Sequence, residues 1–284
     1  MKSKKIEESF DENWKNRLET DYNHWSIKPT NQIQLAFYNH WSVINEKIKS
    51  IPNKKVVEFG AGRGSISSFF ADSGYSCTLL DSSEAIITKS QKIFKKNNHK
   101  GNFIIGDAKK TDLKSGEYGV CISIGLLEHF DDFEKILDEK IRVLAKEGIC
   151  INYVVPDNDH NIQSKFSWVN SILRFFANIF LLDKNKDIKD KQIVYRTKFS
   201  SIKYIEYLKK HNQVKEIESF GVYPLPMVSY SVEFPFTLLP SFLEKSITSI
   251  FKAILKARKI LFNKNPWICK EKNGQAFMII FRKK

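Results

Sequence analysis

One stretch constrains this chain more than any other: Lys55-Val56-Val57-Glu58-Phe59-Gly60-Ala61-Gly62-Arg63-Gly64. An apolar run ends in an acid and opens into glycines at alternate positions. Val56, Val57 and Phe59 suit a strand buried on both faces. The glycines let the backbone turn tightly and approach a ligand with no Cβ in the way. A helix starting near Arg63 then aims its free N–H groups at that ligand. Strand, glycine turn and helix form the opening unit of an α/β domain. A nicotinamide-type fingerprint would need glycine at Ser65, so the spacing disfavours a dinucleotide enzyme. A purely structural glycine turn is the plainer alternative at this point.

The next hundred residues repeat that unit. Residues 65–73 read as a helix closed by Gly74, and 76–81 as a strand ending in Asp81. Ser82 or Ser83 caps a helix running to about Asn97. Residues 102–108 give a third short strand ending in Asp107, and 118–125 a fourth, leading into Leu126-Leu127-Glu128-His129-Phe130-Asp131-Asp132. A helix over 133–145, a turn at 146–148 and a strand over 148–156 complete five βα-type units. Glu58, Asp81 and Asp107 then stand in a row along one edge of a parallel sheet, where α/β ligands bind. Further on, 199–211 reads as a helix, 214–223 as a strand and 275–282 as a last strand, reached by a long hairpin-like connection that makes it antiparallel.

The pattern E-x-G-x-G-x-G at Glu58, Gly60, Gly62 and Gly64 resembles motif I of the class I S-adenosylmethionine-dependent methyltransferases. The resemblance implies a Rossmann-like seven-stranded sheet, mostly parallel with an antiparallel last strand and helices on both faces. It implies that the glycine loop carries the methionine part of S-adenosylmethionine, that Asp81 accepts both ribose hydroxyls, and that Asp107 accepts from the adenine amino group with Ala108 in backbone contact. The cofactor set so implied is Glu58, Gly60, Ala61, Gly62, Gly64, Asp81, Ser82, Asp107, Ala108 and Ile124. The Leu-Glu-His tail after the fourth strand is similar to that of small-molecule methyltransferases related to ubiquinone biosynthesis. His129 is the catalytic base or acceptor-positioning candidate there, with Glu128 beside it and Tyr153 and His160 in reserve. Some quinone-pathway relatives hold a divalent metal through E-x-x-E-H. Here Gly125 replaces the first acid, so no metal is expected. The proline-flanked motifs of amino-methylating DNA and protein enzymes, and the nucleophilic cysteine of cytosine-carbon RNA enzymes, do not occur.

The whole chain reads as one domain: an N-terminal helical lid over 1–50, a cofactor half over 51–156, a helical cap over 157–198, and a C-terminal half over 199–284 containing an amphipathic insertion at 224–272. Phe10, Trp14, Leu18, Tyr22 and Trp25 recur at helical spacing. Tyr22, His24, Trp25, His40 and Trp41 either line the cleft or simply pack the lid. In the cap, 166–182 is apolar apart from Ser167, Ser171, Arg174 and Asn178, so that helix should be almost wholly covered. In the second insertion Leu243, Ile247, Ile250, Phe251, Ile254, Leu255, Leu261 and Phe262 share one helical face, with Lys245, Lys252, Lys256 and Lys259 on the other. Such a helix, preceded by the apolar run 234–240, packs on its own domain or lies on an anionic membrane.

A net charge of +14 favours an anionic partner, whether RNA, a phosphate-bearing metabolite or an acidic membrane surface. No aromatic-basic RNA module accompanies it, which makes nucleic acid the less favoured choice. Cys77, Cys121, Cys150 and Cys269 lack C-x-x-C spacing and read as buried, reduced thiols. With no apolar leader, the expected location is cytoplasmic, or peripheral to the inner face of the membrane. The expected function is methyl transfer to an O or N atom of a small or lipid-like acceptor. The alternatives are a tRNA or rRNA methyltransferase, and a scaffold protein that retains the fold without turnover.

Overall fold

A computed structural model describes residues 23–157, 161–180, 195–230 and 239–284. Phe10, Trp14, Leu18, Tyr22, His160 and residues 181–194 and 231–238 lie outside the described residues.

The central element is β1 (Lys55–Phe59), buried beyond its first residue. Parallel pairing on one side brings β2 (Ser76–Asp81) and β3 (Gly101–Ile105), and on the other β4 (Tyr118–Ile124) and β5 (Leu144–Val154). The sheet continues through β8 (Ala276–Lys283), antiparallel to both β5 and β6 (Val214–Val222), and closes with β7 (Ile268–Cys269) on β6. The order is β3-β2-β1-β4-β5-β8-β6-β7. The described sheet thus has eight strands where seven were expected. The extra one is a two-residue edge strand that pairs Gly221 and Val222 with Cys269 and Ile268, made when the amphipathic insertion returns to the sheet. The last strand is antiparallel, as the long connection implied.

Successive residues of β1 feed different cores. Val56 joins Cys77, Val120, Ile122, Ile149, Ile151 and Met278 beneath α1 (Gln32–Ile48), α2 (Ser65–Asp72) and α3 (Glu84–Lys96). Val57 and Phe59 join Cys121, Cys150 and Phe277 beneath α4 (Phe133–Val143) and α7 (Ser201–Lys210). Each fully buried Val, Ile or Phe contributes about 1.5–3 kcal/mol. Residues 146–148, expected as a turn, run inside β5, with Glu147 at φ 61°.

The cap insertion contributes α5 (Ile162–Lys165) and α6 (Ser167–Phe180), and the second insertion α8 (Ser241–Phe262). α8 buries Glu244, Thr248, Phe251 and Leu255. Glu244 accepts from the backbone N–H and side-chain amide of Gln32, and Lys252 donates to the Pro29 carbonyl. This helix therefore packs on its own domain, yet Leu243, Ile250, Ile254, Leu261 and Phe262 remain exposed. The expectation of a nearly covered cap helix does not hold, since Trp168, Ile172, Phe175 and Phe176 of α6 are also exposed. Its inward side is instead set by Asn170, which donates to the Met227 carbonyl and accepts from Ser229 N–H. No described helix is long and apolar enough to cross a membrane. Cys77, Cys121 and Cys150 are buried free thiols, whereas Cys269 is only half-buried.

Candidate active site

The glycine loop connects β1 to α2 with Gly60, Gly62 and Gly64 at φ 64°, 52° and 67°. A Cβ on Gly64 would lie 2.6 Å from Leu79 and 2.7 Å from Phe94, and one on Gly60 would lie 2.9 Å from Leu126. Both sites are therefore closed to side chains by conformation and by space. Ala61 N–H donates to the Leu80 carbonyl and Gly64 N–H to the Ala61 carbonyl, which stitches the loop to β2.

Asp81 ends β2 and orders this loop. Its Oδ2 accepts from Gly62 N–H at 2.9 Å and its Oδ1 from Ser83 N–H at 3.1 Å. Ser83 caps α3, accepting from Ile86 N–H, and Ser82 is exposed beside it. Asp107 lies two residues beyond β3, exposed, with Oδ1 accepting from Lys109 N–H, next to buried Ala108.

Glu58 behaves differently from the other two acids. It is buried beneath the first turn of α2, where Oε2 accepts from Ser67 N–H and from Ser67 Oγ–H. Burial pushes its carboxyl up to about 8, against the pull of the Ser67 hydrogen bonds. The edge thus carries three acids in three environments: buried, half-buried and exposed.

Residues 23–25 clamp the far side of this loop. Asn23 donates to Ser68 Oγ at 2.7 Å, His24 N–H to Ser65 Oγ at 3.0 Å, and the Trp25 indole to Asp72 at 2.8 Å. His24 is buried, and desolvation with the nearby Arg63 charge lowers its pKa to about 3. His40 and Trp41 do not join the loop. His40 accepts from the Trp267 indole at 2.9 Å and sits edge-on to Tyr153, while Trp41 stacks on Phe69.

On the other side of the edge, half-buried Ile124 ends β4, and the chain turns through Gly125 at φ 72° into the 3-10 turn Leu127–His129. Glu128 is 1% exposed. Its Oε1 accepts from Val155 N–H at 3.2 Å, and its Oε2 has no hydrogen-bond partner among the described residues. Desolvation raises its carboxyl to about 7. His129 Nδ1 faces the Tyr195 carbonyl at 2.6 Å, and the ring also meets the Gly125 backbone. Burial lowers its pKa to about 4, so the imidazole is neutral.

This turn anchors a strap that sequence reasoning missed. Thr197 N–H donates to the Glu128 carbonyl, Asp157 N–H to the Thr197 carbonyl, and Tyr195 Oη–H to Asp131 at 2.6 Å. Residues 195–197 stand at the end of the cap insertion, so the Leu-Glu-His tail is where that insertion is pinned back to the sheet. Lys140 was also missed. It is fully buried in α4 and donates at 2.6 Å to both Ser123 and Asn152, behind the same strand ends. Among the described residues no three His, Cys, Asp or Glu side chains stand together in a way that could hold a metal ion.

Residues 57–152 match the methyltransferase-domain family. Among curated proteins no sequence matches the chain significantly. A methyltransferase structure from Thermotoga maritima is similar at 14% identity and TM-score 0.54, over 98% of this chain and 100% of that one. Magnesium protoporphyrin IX methyltransferase from Synechocystis is similar at 11% identity and TM-score 0.52, over 100% of both chains. A structure from Bacillus halodurans aligns at 12% identity and TM-score 0.50, over 86% of this chain and 98% of that one. At such identities these structures speak for the fold, and the family match speaks for the chemistry. With its glycine loop, its strand-end acids and its antiparallel last strand, the chain carries a methyltransferase domain over residues 57–152 and shares the class I fold of these structures.

Proposed function

We propose that the protein transfers a methyl group to an O or N atom of a small-molecule or lipid-like acceptor, with all 284 residues acting as one domain. The observation that carries the acceptor class is enclosure. Glu128 and His129 just past β4, Tyr153 near the end of β5 and Tyr223 just past β6 are all buried, with Thr197 of the strap bonded to the Glu128 carbonyl. Groups enclosed in this way suit a small molecule better than a folded RNA, whose recognition needs an open basic face.

When bound, S-adenosylmethionine supplies a methyl group on an electrophilic sulfonium. Gly60, Ala61, Gly62 and Gly64 would hold its methionine part, Asp81 its ribose, and Asp107 with Ala108 its adenine, with Glu58, Ser82 and Ile124 completing the wall. The positive-φ glycines and the Asp81 carboxylate at the end of β2 fit that role. On the acceptor side, Glu128 and His129 are the candidates for proton handling and positioning. Burial of these groups excludes water, which strengthens every charge interaction at the reacting atoms.

Incubating the protein with methyl-labelled S-adenosylmethionine and a cell extract tests the acceptor class. Label is expected in the low-molecular-weight or lipid fraction. Label confined to RNA would instead promote the RNA reading, and cofactor binding without any transfer would promote the scaffold reading.

The exposed apolar residues favour one addition, a peripheral contact with anionic lipid. Trp168, Ile172, Phe175 and Phe176 on α6, and Leu243, Ile250, Ile254 and Leu261 on α8, face solvent, and α8 carries exposed Lys245, Lys256 and Lys259. Each Lys near an anionic surface contributes about 1 kcal/mol. Sedimentation with anionic vesicles is expected to recover the protein, and Phe175→Ser/Phe176→Ser should weaken recovery several-fold. Equal recovery with neutral vesicles, or none with either, rejects the contact.

A further inference from the structure

The acceptor side holds a carboxyl that nothing in the fold explains. Glu128 is buried, yet only one of its oxygens is used. Oε1 accepts from Val155 N–H just beyond β5, and Oε2 has no partner among the described residues. A buried carboxylate oxygen left without a donor costs about 1–3 kcal/mol or more, which in a native fold points to a ligand as the missing partner. Its location fits. Leu126, two residues before it, lies against Gly60 of the cofactor loop, so this turn and that loop abut.

His129, the sequence's first choice as base, is poorly disposed for that work. With Nδ1 against the Tyr195 carbonyl and the ring also engaged by the Gly125 backbone, its nitrogens are committed to holding the strap. It is a positioning residue.

We infer that Glu128 Oε2 is the group that takes the acceptor's proton, and that the acceptor is therefore one whose nucleophile must lose a proton on transfer: a phenol, an alcohol, or a primary or secondary amine. The inference rests on the methyltransferase reading above. As the bond from the acceptor's O or N to the methyl carbon forms, the carbon–sulfur pair returns to sulfur. The acceptor's proton passes to Oε2, and the carboxyl later releases it to water. Atoms and charge balance, because the sulfonium and the carboxylate neutralise together. A tertiary amine has no proton to give and would have no use for this group.

The titratable and charged groups facing Glu128 come from several elements: Lys140 on α4, Arg196 on the strap, Tyr153 on β5 and Tyr204 on α7. Burial outweighs the two cations and leaves the carboxyl titrating near neutrality, where a general base is most effective.

The test needs no acceptor. The whole protein, labelled with carbon-13 at glutamate side-chain carboxyls, is titrated by NMR alone, with S-adenosylmethionine, and with S-adenosylhomocysteine, while calorimetry follows binding. A signal with a midpoint near 7 is expected, absent in Glu128→Gln and retained in Glu58→Gln, which keeps the assignment secure even if the first variant folds poorly. The sulfonium cation should pull that midpoint down by about one pH unit or more relative to the neutral thioether, as an opposite charge within about 4–6 Å does. Binding of both ligands with identical midpoints, or no signal near neutrality, overturns the inference and leaves the methyltransferase reading intact. Absence of binding by either ligand overturns both.

Discussion

Replacing Asp81 with alanine is expected to weaken S-adenosylmethionine binding at least about a hundredfold while leaving the protein folded. The carboxylate holds Gly62 N–H and Ser83 N–H, which fixes the loop and the start of α3. On the proposed reading it also accepts from the two ribose hydroxyls. A hydrogen bond to a charged group is worth about 1.5–3 kcal/mol, so losing two from the ligand amounts to about 3 kcal/mol or more, two decades in affinity. Gly62 is half-buried and Ser83 buried, so the freed N–H groups are expected to cost about 1–3 kcal/mol of stability, less than the fold's reserve. Asp81→Asn keeps one acceptor oxygen and should fall between. Calorimetry settles the matter: affinity within threefold of the parent protein would remove Asp81 from the cofactor site.

The second large effect concerns stability. Glu58→Gln is expected to raise the melting temperature of the ligand-free protein, and the gain should grow with pH. Below about 4.5 the carboxyl is protonated in both folded and unfolded chains, and substitution changes little. Between 4.5 and about 8 the unfolded chain gives up its proton while burial makes the folded chain keep it. The native state then binds more protons, so the parent protein loses stability as pH rises, by at most about 1.4 kcal/mol per unit. Above about 8 the difference is constant. Glutamine keeps an acceptor for Ser67 and carries no charge, so it escapes the loss. His24 and His40 act in the opposite sense. Both are held near 3 by burial, so their stability contribution is lost as pH falls from 6.5 toward 3. Thermal melts of both proteins from about pH 4 to 9 give the answer. A difference that stays flat, or shrinks toward alkaline pH, would mean that Glu58 ionises normally in the fold.

The cofactor half was largely legible because its signals are contiguous. Glycines at 60, 62 and 64 need positive φ, and acids close to strand ends can be located once hydrophobic runs define the strands. The acceptor half was not, because its contacts join distant residues. His129 meets Tyr195 across 66 positions, and Tyr195 meets Asp131 across 64. No local pattern encodes such pairs. Lys140 left a usable trace that charge obscured. It falls at helical spacing with Ile136, Leu137 and Ile141, all buried, so its place on the wheel marked it as inward-facing despite its ammonium. The eighth strand was invisible for a different reason: two residues, Ile268 and Cys269, are too few to carry a period. The exposed stripes of α6 and α8 show the limit of patterning, since amphipathicity reports which face is apolar and not whether the domain covers it.

The clamp at 23–25 and the strap at 195–197 reach the sheet edge from separate parts of the chain. One bonds to Ser65, Ser68 and Asp72 on α2, the other to Glu128, His129 and Asp131 after β4. The two sets of bonds share no residue. A substitution that removes the clamp, at Ser68 for example, therefore leaves these strap bonds in place, and one at Tyr195 leaves the clamp.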